Sequence, residues 1–268
     1  MKARLILGCL VTIAFLTSCQ KELKEEDNPT FCNVSTITIK NGNSKITAKY
    51  SYEYDSVTRR ATMLKFQNFE SGAIKIIYPT YSGDTVFLSQ KGYLVLDASK
   101  RLTALQDPNA PGGKNLSYFY SYNSQGSLEQ RLMDDGVNDV LRTNFSYTNG
   151  NLTGYKQDYA GFPQSLAATI ELNTTTNVTG FNQLALLDLF PELVFYLPTF
   201  QLGKISDFPL SKIQANIGVT NLPASSFVNT YNNYTLTPEG WLSSFQTDEV
   251  IVGVPESTTS YSFEYNCF

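Results

Sequence analysis

From residue 32 onward, apolar and polar residues alternate with a period of two over short runs. Val34, Thr36, Thr38 and Lys40 alternate with Ser35, Ile37 and Ile39. Ile46 to Tyr54 places Ala48, Tyr50, Tyr52 and Tyr54 on one face. Period two is the spacing of a half-buried strand, because successive side chains leave opposite faces of the pleat. Similar runs cover 73–78, 84–90, 92–97, 116–122, 127–133, 140–148, 152–159 and 167–173. Tyr, Phe, Thr, Val and Ile fill these runs, and Gly, Asn, Asp and Ser fill the gaps, which is strand-and-turn chemistry. The pattern predicts an all-β domain, a large antiparallel meander curled into or towards a barrel.

Two stretches break the alternation. Residues 181–197 are apolar on nearly all sides, with Asn182 placed to cap a helix and Pro191 placed to bend or end it. An element apolar all round is buried, so this stretch is expected as a short helical insertion, a plug or lid packed on the sheet. Its length and interruptions rule out a membrane span. Residues 198–230, with Pro198, Pro209 and Pro223, read as a long irregular excursion.

The strands form an approximate internal repeat. Tyr118-Phe-Tyr-Ser-Tyr122 leads through Gly126 to Leu128, Asn144-Phe-Ser-Tyr147 through Gly150 to Leu152, and Tyr234-Thr-Leu236 through Gly240 to Leu242. Leu94-Val-Leu96 precedes Asp97 to Leu102, and Tyr52-Glu-Tyr54 precedes Asp55 to Arg60. Each copy is a strand end, a short turn and a return strand, so each reads as a hairpin in which Gly supplies positive φ.

The opening residues set the compartment. Lys2 and Arg4 introduce an apolar run ending at Leu16-Thr17-Ser18-Cys19, the layout of a secretory signal with a small-residue cleavage site. Cysteine after Leu-x-Ser resembles a bacterial lipobox, and that resemblance implies lipidation of Cys19 as the first mature residue. An ordinary cleaved signal is the alternative. The chain then divides into a signal peptide, 1–18, a charged flexible tether, 19–31, and a single β domain, 32–268. The acidic Glu25-Glu26-Asp27 in the tether resembles a surface-export signal of Bacteroidetes lipoproteins, or is simply a solvated linker.

With the terminal strand Tyr261-x-Phe263-x-Tyr265-x-Cys267, these units resemble the YD-type hairpin repeats of bacterial surface proteins. More broadly the chain resembles an uncharacterised family of Bacteroidetes lipoproteins with a porin-like antiparallel β fold. The resemblance covers 32–268 except 181–230. It implies a fold and an outer-membrane, lipid-anchored location, on the periplasmic side or at the cell surface, and it implies no activity.

Composition narrows the function. Losing Lys2 and Arg4 with the signal leaves 18 basic against 24 acidic residues, a mature net charge of −6. That acidity argues against nucleic acid as a partner. The chain has 0 histidines, which removes Ser-His-Asp, Cys-His and His-based zinc chemistry. With Cys9 in the signal and Cys19 carrying lipid, Cys32 and Cys267 remain. In an exported chain such a pair reads as a disulfide, although two unpaired thiols are the alternative. A bond between them requires the first and last strands to lie side by side, with Cα atoms within about 7 Å.

Candidate chemistry is sparse. Asp134-Asp135-Gly136-Val137-Asn138-Asp139 is the one carboxylate cluster of the domain, but it lacks the spacing and distal Glu of a calcium loop and matches turn chemistry. Glu239 and Trp241, the single tryptophan, offer a carboxylate beside an aromatic face, a possible ligand contact for a sugar. No motif points to a cofactor or metal. The expected role is therefore a non-catalytic envelope lipoprotein, binding or scaffolding a glycan, a lipid or an envelope protein near 181–230. The alternatives are a carboxylate-dependent glycosidase, whose acids should face each other about 5–10 Å apart, and a surface adhesion module with a flat exposed aromatic patch.

Overall fold

The structure, a computed structural model, describes residues 32–88, 92–107, 116–137, 139–161, 165–176, 190–203, 206, 208–217, 225–251, 254 and 256–267. The predicted signal, the tether, Cys19 and the stretch 181–189 lie outside the described residues. The chain divides into a unit Asn33–Asn266 and a unit of Met1–Cys32 with Cys267–Phe268. Within the latter, a disulfide joins Cys32 to Cys267, with Cα atoms 4.0 Å apart across a separation of 235 residues.

Among the described residues, 17 strands form one sheet. They are β1 (Cys32–Asn41), β2 (Ile46–Tyr54), β3 (Ala61–Asn68), β4 (Ile74–Ile77), β5 (Thr80–Ser82) and β6 (Thr85–Phe87). β7 (Tyr93–Leu96), β8 (Leu102–Asp107), β9 (Leu116–Tyr122), β10 (Leu128–Asp134), β11 (Asp139–Thr148) and β12 (Asn151–Tyr159) follow. β13 (Ser165–Leu172), β14 (Leu210–Ile217), β15 (Ser225–Leu236), β16 (Leu242–Ile251) and β17 (Ser257–Cys267) complete it. Apart from β4 and β5, each strand pairs antiparallel with the next, and β1 also pairs with β17. The ladder is interrupted between β4 and β5, where Tyr78-Pro79 intervenes: β4 pairs with β3, and β5 pairs with β6. Pro79 has no N–H to give a ladder. The result is a meander curled round to bring its first and last strands together, without a complete ring of hydrogen bonds.

The sequence repeat has a physical basis in the turns. Asp55, Asp97 and Asn123 each close a hairpin through the side-chain oxygen. Asp97 Oδ1 accepts from the Ser99 and Arg101 N–H groups at 2.8 and 2.9 Å, and Asn123 Oδ1 accepts from Gln125 and Ser127 at 3.0 Å each. Asp55 Oδ1 does the same for Val57 and Thr58. The left-handed position of these turns is Gly126 in one copy, but Arg59 and Lys100 in two others.

A second device recurs along the sheet. Tyr54, Tyr81, Tyr122, Tyr147, Tyr234 and Tyr265 donate their hydroxyls to the carbonyls of Val34, Ala61, Leu102, Leu128, Leu210 and Leu242, at 2.6 to 3.0 Å. The last five acceptors each open a strand and are buried to 1 % exposure or less. In five of the six, a tyrosine near the end of the returning strand latches the start of its neighbour, while Tyr81 of β5 reaches past β4 to the start of β3. Arg60 lies 5.0 Å over the Tyr81 ring and Arg101 4.5 Å over the Tyr122 ring. The tyrosine-rich repeat is therefore a hairpin latch.

Two expectations need correction. The helical insertion expected over 181–197 is, among the described residues, one turn of helix, α1 (Pro191–Val194), followed by a 3-10 turn, Leu197–Thr199. Pro198 explains the stop, because it has no N–H to offer the Val194 carbonyl four residues back. The Tyr52 hydroxyl donates to that carbonyl instead, at 2.7 Å. The excursion over 198–230 is likewise shorter than expected: it contains β14 and the start of β15. In β14, Leu210, Ile213 and Ala215 face the core, and Pro209 stands immediately before the strand without breaking it.

Candidate functional site

The inner face of the sheet is occupied by the protein's own chain. Phe190, Leu193, Val194, Phe195, Tyr196, Leu197, Phe200 and Leu202 are all buried. The segment reaches strands far apart in sequence. At one side Tyr52 of β2 holds Val194, and the Lys75 ammonium of β4 lies 4.9 Å from the Phe195 ring centre and 3.4 Å from the Tyr196 hydroxyl. At the other, Phe190 meets Tyr120 of β9 edge-on at 6.4 Å and Phe145 of β11 at 5.6 Å. Beyond it the Gln201 N–H donates to Lys100 and its carbonyl accepts from Leu102. Gly203 has φ +70°, and a Cβ there would collide with the Gly126 carbonyl oxygen.

Arg131 of β10 is buried, its guanidinium 4.9 Å over the Phe190 ring and 5.1 Å over Tyr118. It shares a cross-strand row with Tyr120 and Thr143. Sequence reading missed both Arg131 and Lys75; the available signal was a cation at an inward position of an otherwise apolar alternation. Desolvated guanidinium between aromatic faces is a cation–π arrangement, and here one of the faces belongs to the plugging segment itself.

The residues singled out from sequence are dispersed. Trp241 is half-buried at the end of a turn, its ring 5.6 Å from Tyr265, and Thr237 Oγ1 accepts its N–H. Glu239 is exposed in the same turn. Asp134 and Asp135 accept the N–H groups of Gly136 and Val137, as turn residues do. Asp55, Asp84 and Asp97 also lie in or beside turns. Asp248, on the outer face of β16, accepts from Asn232, Gln246 and Thr258. Burial there favours the neutral acid, but the three hydrogen bonds outweigh it and hold the carboxyl below its usual range. Among the described residues no group of three or more Asp, Glu or Cys side chains is placed to hold a metal ion.

The outer face of β4 to β9 differs from the rest of the surface. Ile74, Ile76, Tyr78, Phe87, Tyr93 and Phe119 are 36 to 64 % exposed. Register places Phe87 opposite Tyr93, and aligns Val95, Ala104, Phe119 and Leu132 in one row across β7 to β10. The outward positions between these residues carry Thr, Ser and Gln, and no charge. Lys65 on β3 and Arg142 on β11 mark the borders, paired with Ile76 and Leu132 respectively. Elsewhere the outward positions include Lys49, Glu53, Lys156, Asp158, Lys212 and Asp248.

No family model matches the chain, and no curated protein matches it. Solved structures do. A porin-like protein from Bacteroides uniformis ATCC 8492 superposes with a TM-score of 0.61 at 17 % identity, covering 89 % of this chain and 99 % of that one. A porin-like protein from Bacteroides vulgatus ATCC 8482 superposes at 0.51 and 11 % identity, covering 87 % and 98 %. At these identities the likeness establishes the fold alone.

Proposed function

We propose that, on the fold shared with these Bacteroides proteins, the chain serves as a non-catalytic envelope lipoprotein. Its role is binding or scaffolding, and acyl chains on Cys19 hold it to the outer membrane. The observation that carries this reading is the division of the surfaces. The inner face is taken up by residues 190–202 of the same chain, while an uncharged face bearing exposed apolar and aromatic side chains is left outside. A soluble protein rarely exposes such a patch without using it. The disulfide between Cys32 and Cys267 suits an oxidising, exported setting.

The scatter of carboxylates into turns and onto the outer face speaks against the glycosidase alternative, which needs two acids across a cleft. It leaves the adhesion or assembly role as a variant of the same reading, since that role also works through an exposed face. Trp241 packed against Tyr265 is a weaker platform for a sugar than a free ring.

The test is chemical. The full chain and its Cys19→Ser variant are expressed in a bacterium with lipoprotein maturation, fractionated, and their N-terminal peptides weighed. The expected result is a membrane-bound protein beginning at acylated Cys19, and a variant released from the membrane. An unacylated Cys19 in the soluble fraction would end this reading.

A further inference from the structure

Resting on the anchored reading above, we infer that the uncharged outer face of β4 to β9 lies on the bilayer that holds the Cys19 acyl chains. The face is one-sided. A spanning barrel needs an apolar belt around its whole circumference, whereas Lys49 and Glu53 on β2, Lys156 and Asp158 on β12, and Lys212 on β14 interrupt any such belt. A one-sided patch fits a surface that is approached from one side.

Its size and chemistry select the occupant. From a strand spacing of about 4.8 Å and a rise of about 3.3 Å per residue, the patch covers roughly 500 Å². A stable complex of two proteins buries about 800 Å² on each partner. A second copy of the chain is therefore not held by this face alone. The patch also lacks the charges that give a protein partner orientation and register. Ile74, Ile76, Phe87 and Phe119 offer apolar surface, and Tyr78 and Tyr93 add phenols suited to the headgroup level.

Reach supplies the rest. Twelve residues lie between Cys19 and Cys32 (32 − 19 − 1), and a chain of that length extends to about 40 Å. A short tether turns weak docking into an intramolecular event at millimolar effective concentration. The net charge of −6, taken without the signal, offers no attraction to anionic lipid, so uncharged, apolar contact is what remains to orient the domain.

The experiment uses the full acylated chain in phosphatidylcholine vesicles. With Cys19 acylated and Cys32 bonded to Cys267, a single introduced cysteine takes an environment-sensitive fluorophore. Ile76→Cys and Phe119→Cys probe the face; Lys49→Cys and Lys212→Cys probe the charged surface. Lipids brominated along the acyl chains are the quencher. The expected result is quenching several-fold greater at 76 and 119 than at 49 and 212. A Tyr78→Ser, Phe119→Ser double variant should still float with the vesicles but lose quenching at a Phe87→Cys probe. Equal quenching at all four sites, or none, would overturn the proposal. So would contact between labelled copies at 76 and 119 without lipid quenching, which would give the face to a second protein. Failure to float at all brings down the Cys19 anchor instead, and this proposal with it.

Discussion

Replacing Tyr147 by Phe removes one oxygen atom and leaves the ring in place. That oxygen donates to the Leu128 carbonyl at 2.8 Å, and Leu128 is fully buried, so the carbonyl loses a partner that water cannot readily replace. A neutral hydrogen bond of this kind contributes about 1 kcal/mol net. The same reasoning applies to Tyr122, Tyr234 and Tyr265, whose hydroxyls sit 2.6, 2.6 and 2.7 Å from Leu102, Leu210 and Leu242. The four latches belong to separate hairpins, so their losses should add. The fourfold Tyr→Phe variant is then weaker by about 4 kcal/mol, a large part of the roughly 5–15 kcal/mol that holds a domain together. For a domain of this size that corresponds to about 8–16 °C in Tm. Urea unfolding under non-reducing conditions measures it, with far-ultraviolet circular dichroism beside Trp241 emission as two probes. Tyr78→Phe, on the exposed outer face, is the control and should change nothing. If each single variant falls within about 0.3 kcal/mol of the parent, the latch explanation of the repeat is wrong.

The same tyrosines make stability sensitive to alkali. Burial pushes Tyr155 up to about 12, and Tyr81 also reaches about 12 despite the opposing Arg60 charge and its bond to Ala61; burial drives Tyr54, Tyr122, Tyr147 and Tyr265 higher. The unfolded chain gives up phenolic protons near pH 10 while the folded one keeps them. The contribution is therefore complete below about pH 10 and is lost as pH rises toward 12 and beyond; phenolate absorbance reaching its full amplitude by about pH 11 without unfolding would contradict this. Phe190→Ala should cost about 3–5 kcal/mol, since the ring sits between Tyr120, Phe145 and Arg131, and a loss below about 1 kcal/mol in the same urea assay would show the segment to be loosely held. Gly203→Ala combines a left-handed φ, worth about 1–2 kcal/mol, with a backbone collision, and should unfold earlier than Gly83→Ala, where the space is open. Breaking the Cys32–Cys267 bond by a paired Cys→Ser change should cost about 2–5 kcal/mol, read from the urea midpoint.

Much of the fold is legible in the alternation because a sheet with one buried face imposes period two on its residues. Ile46–Tyr54 and Leu116–Tyr122 are strands at the residues where the pattern places them. β3 escaped the reading because its apolar residues fall at Ala61, Met63, Leu64 and Phe66, without a clean alternation, and its pairing with β2 slips at Glu53/Tyr54. β14 was obscured by the prolines around it, although Leu210-Ser-Lys-Ile-Gln-Ala-Asn-Ile217 has its apolar side. The plugging stretch reads as apolar on all sides whether it is helical or not, so periodicity alone does not decide its conformation. The latch was present as a recurring distance of 19 to 24 residues from an acceptor carbonyl to its tyrosine. The outer face was harder to see, because its mark is the absence of charge on alternate positions of separate strands, and register alone brings Phe87, Tyr93 and Phe119 onto one face of β6, β7 and β9.

The division between a filled inner face and an exposed outer one requires residues 190–202 to be core and not a lid over a cavity. Hydrogen exchange of the folded protein, read peptide by peptide, tests this directly. If the segment is core, the amides of Leu193, Tyr196 and Thr199, which donate to Phe190, Leu193 and Tyr196, should exchange only as slowly as β10 and β11, through global unfolding. Exchange orders of magnitude faster there, with the strands still protected, would mean that the segment opens on its own. The interior would then be the binding site, and the outer-face account would be wrong.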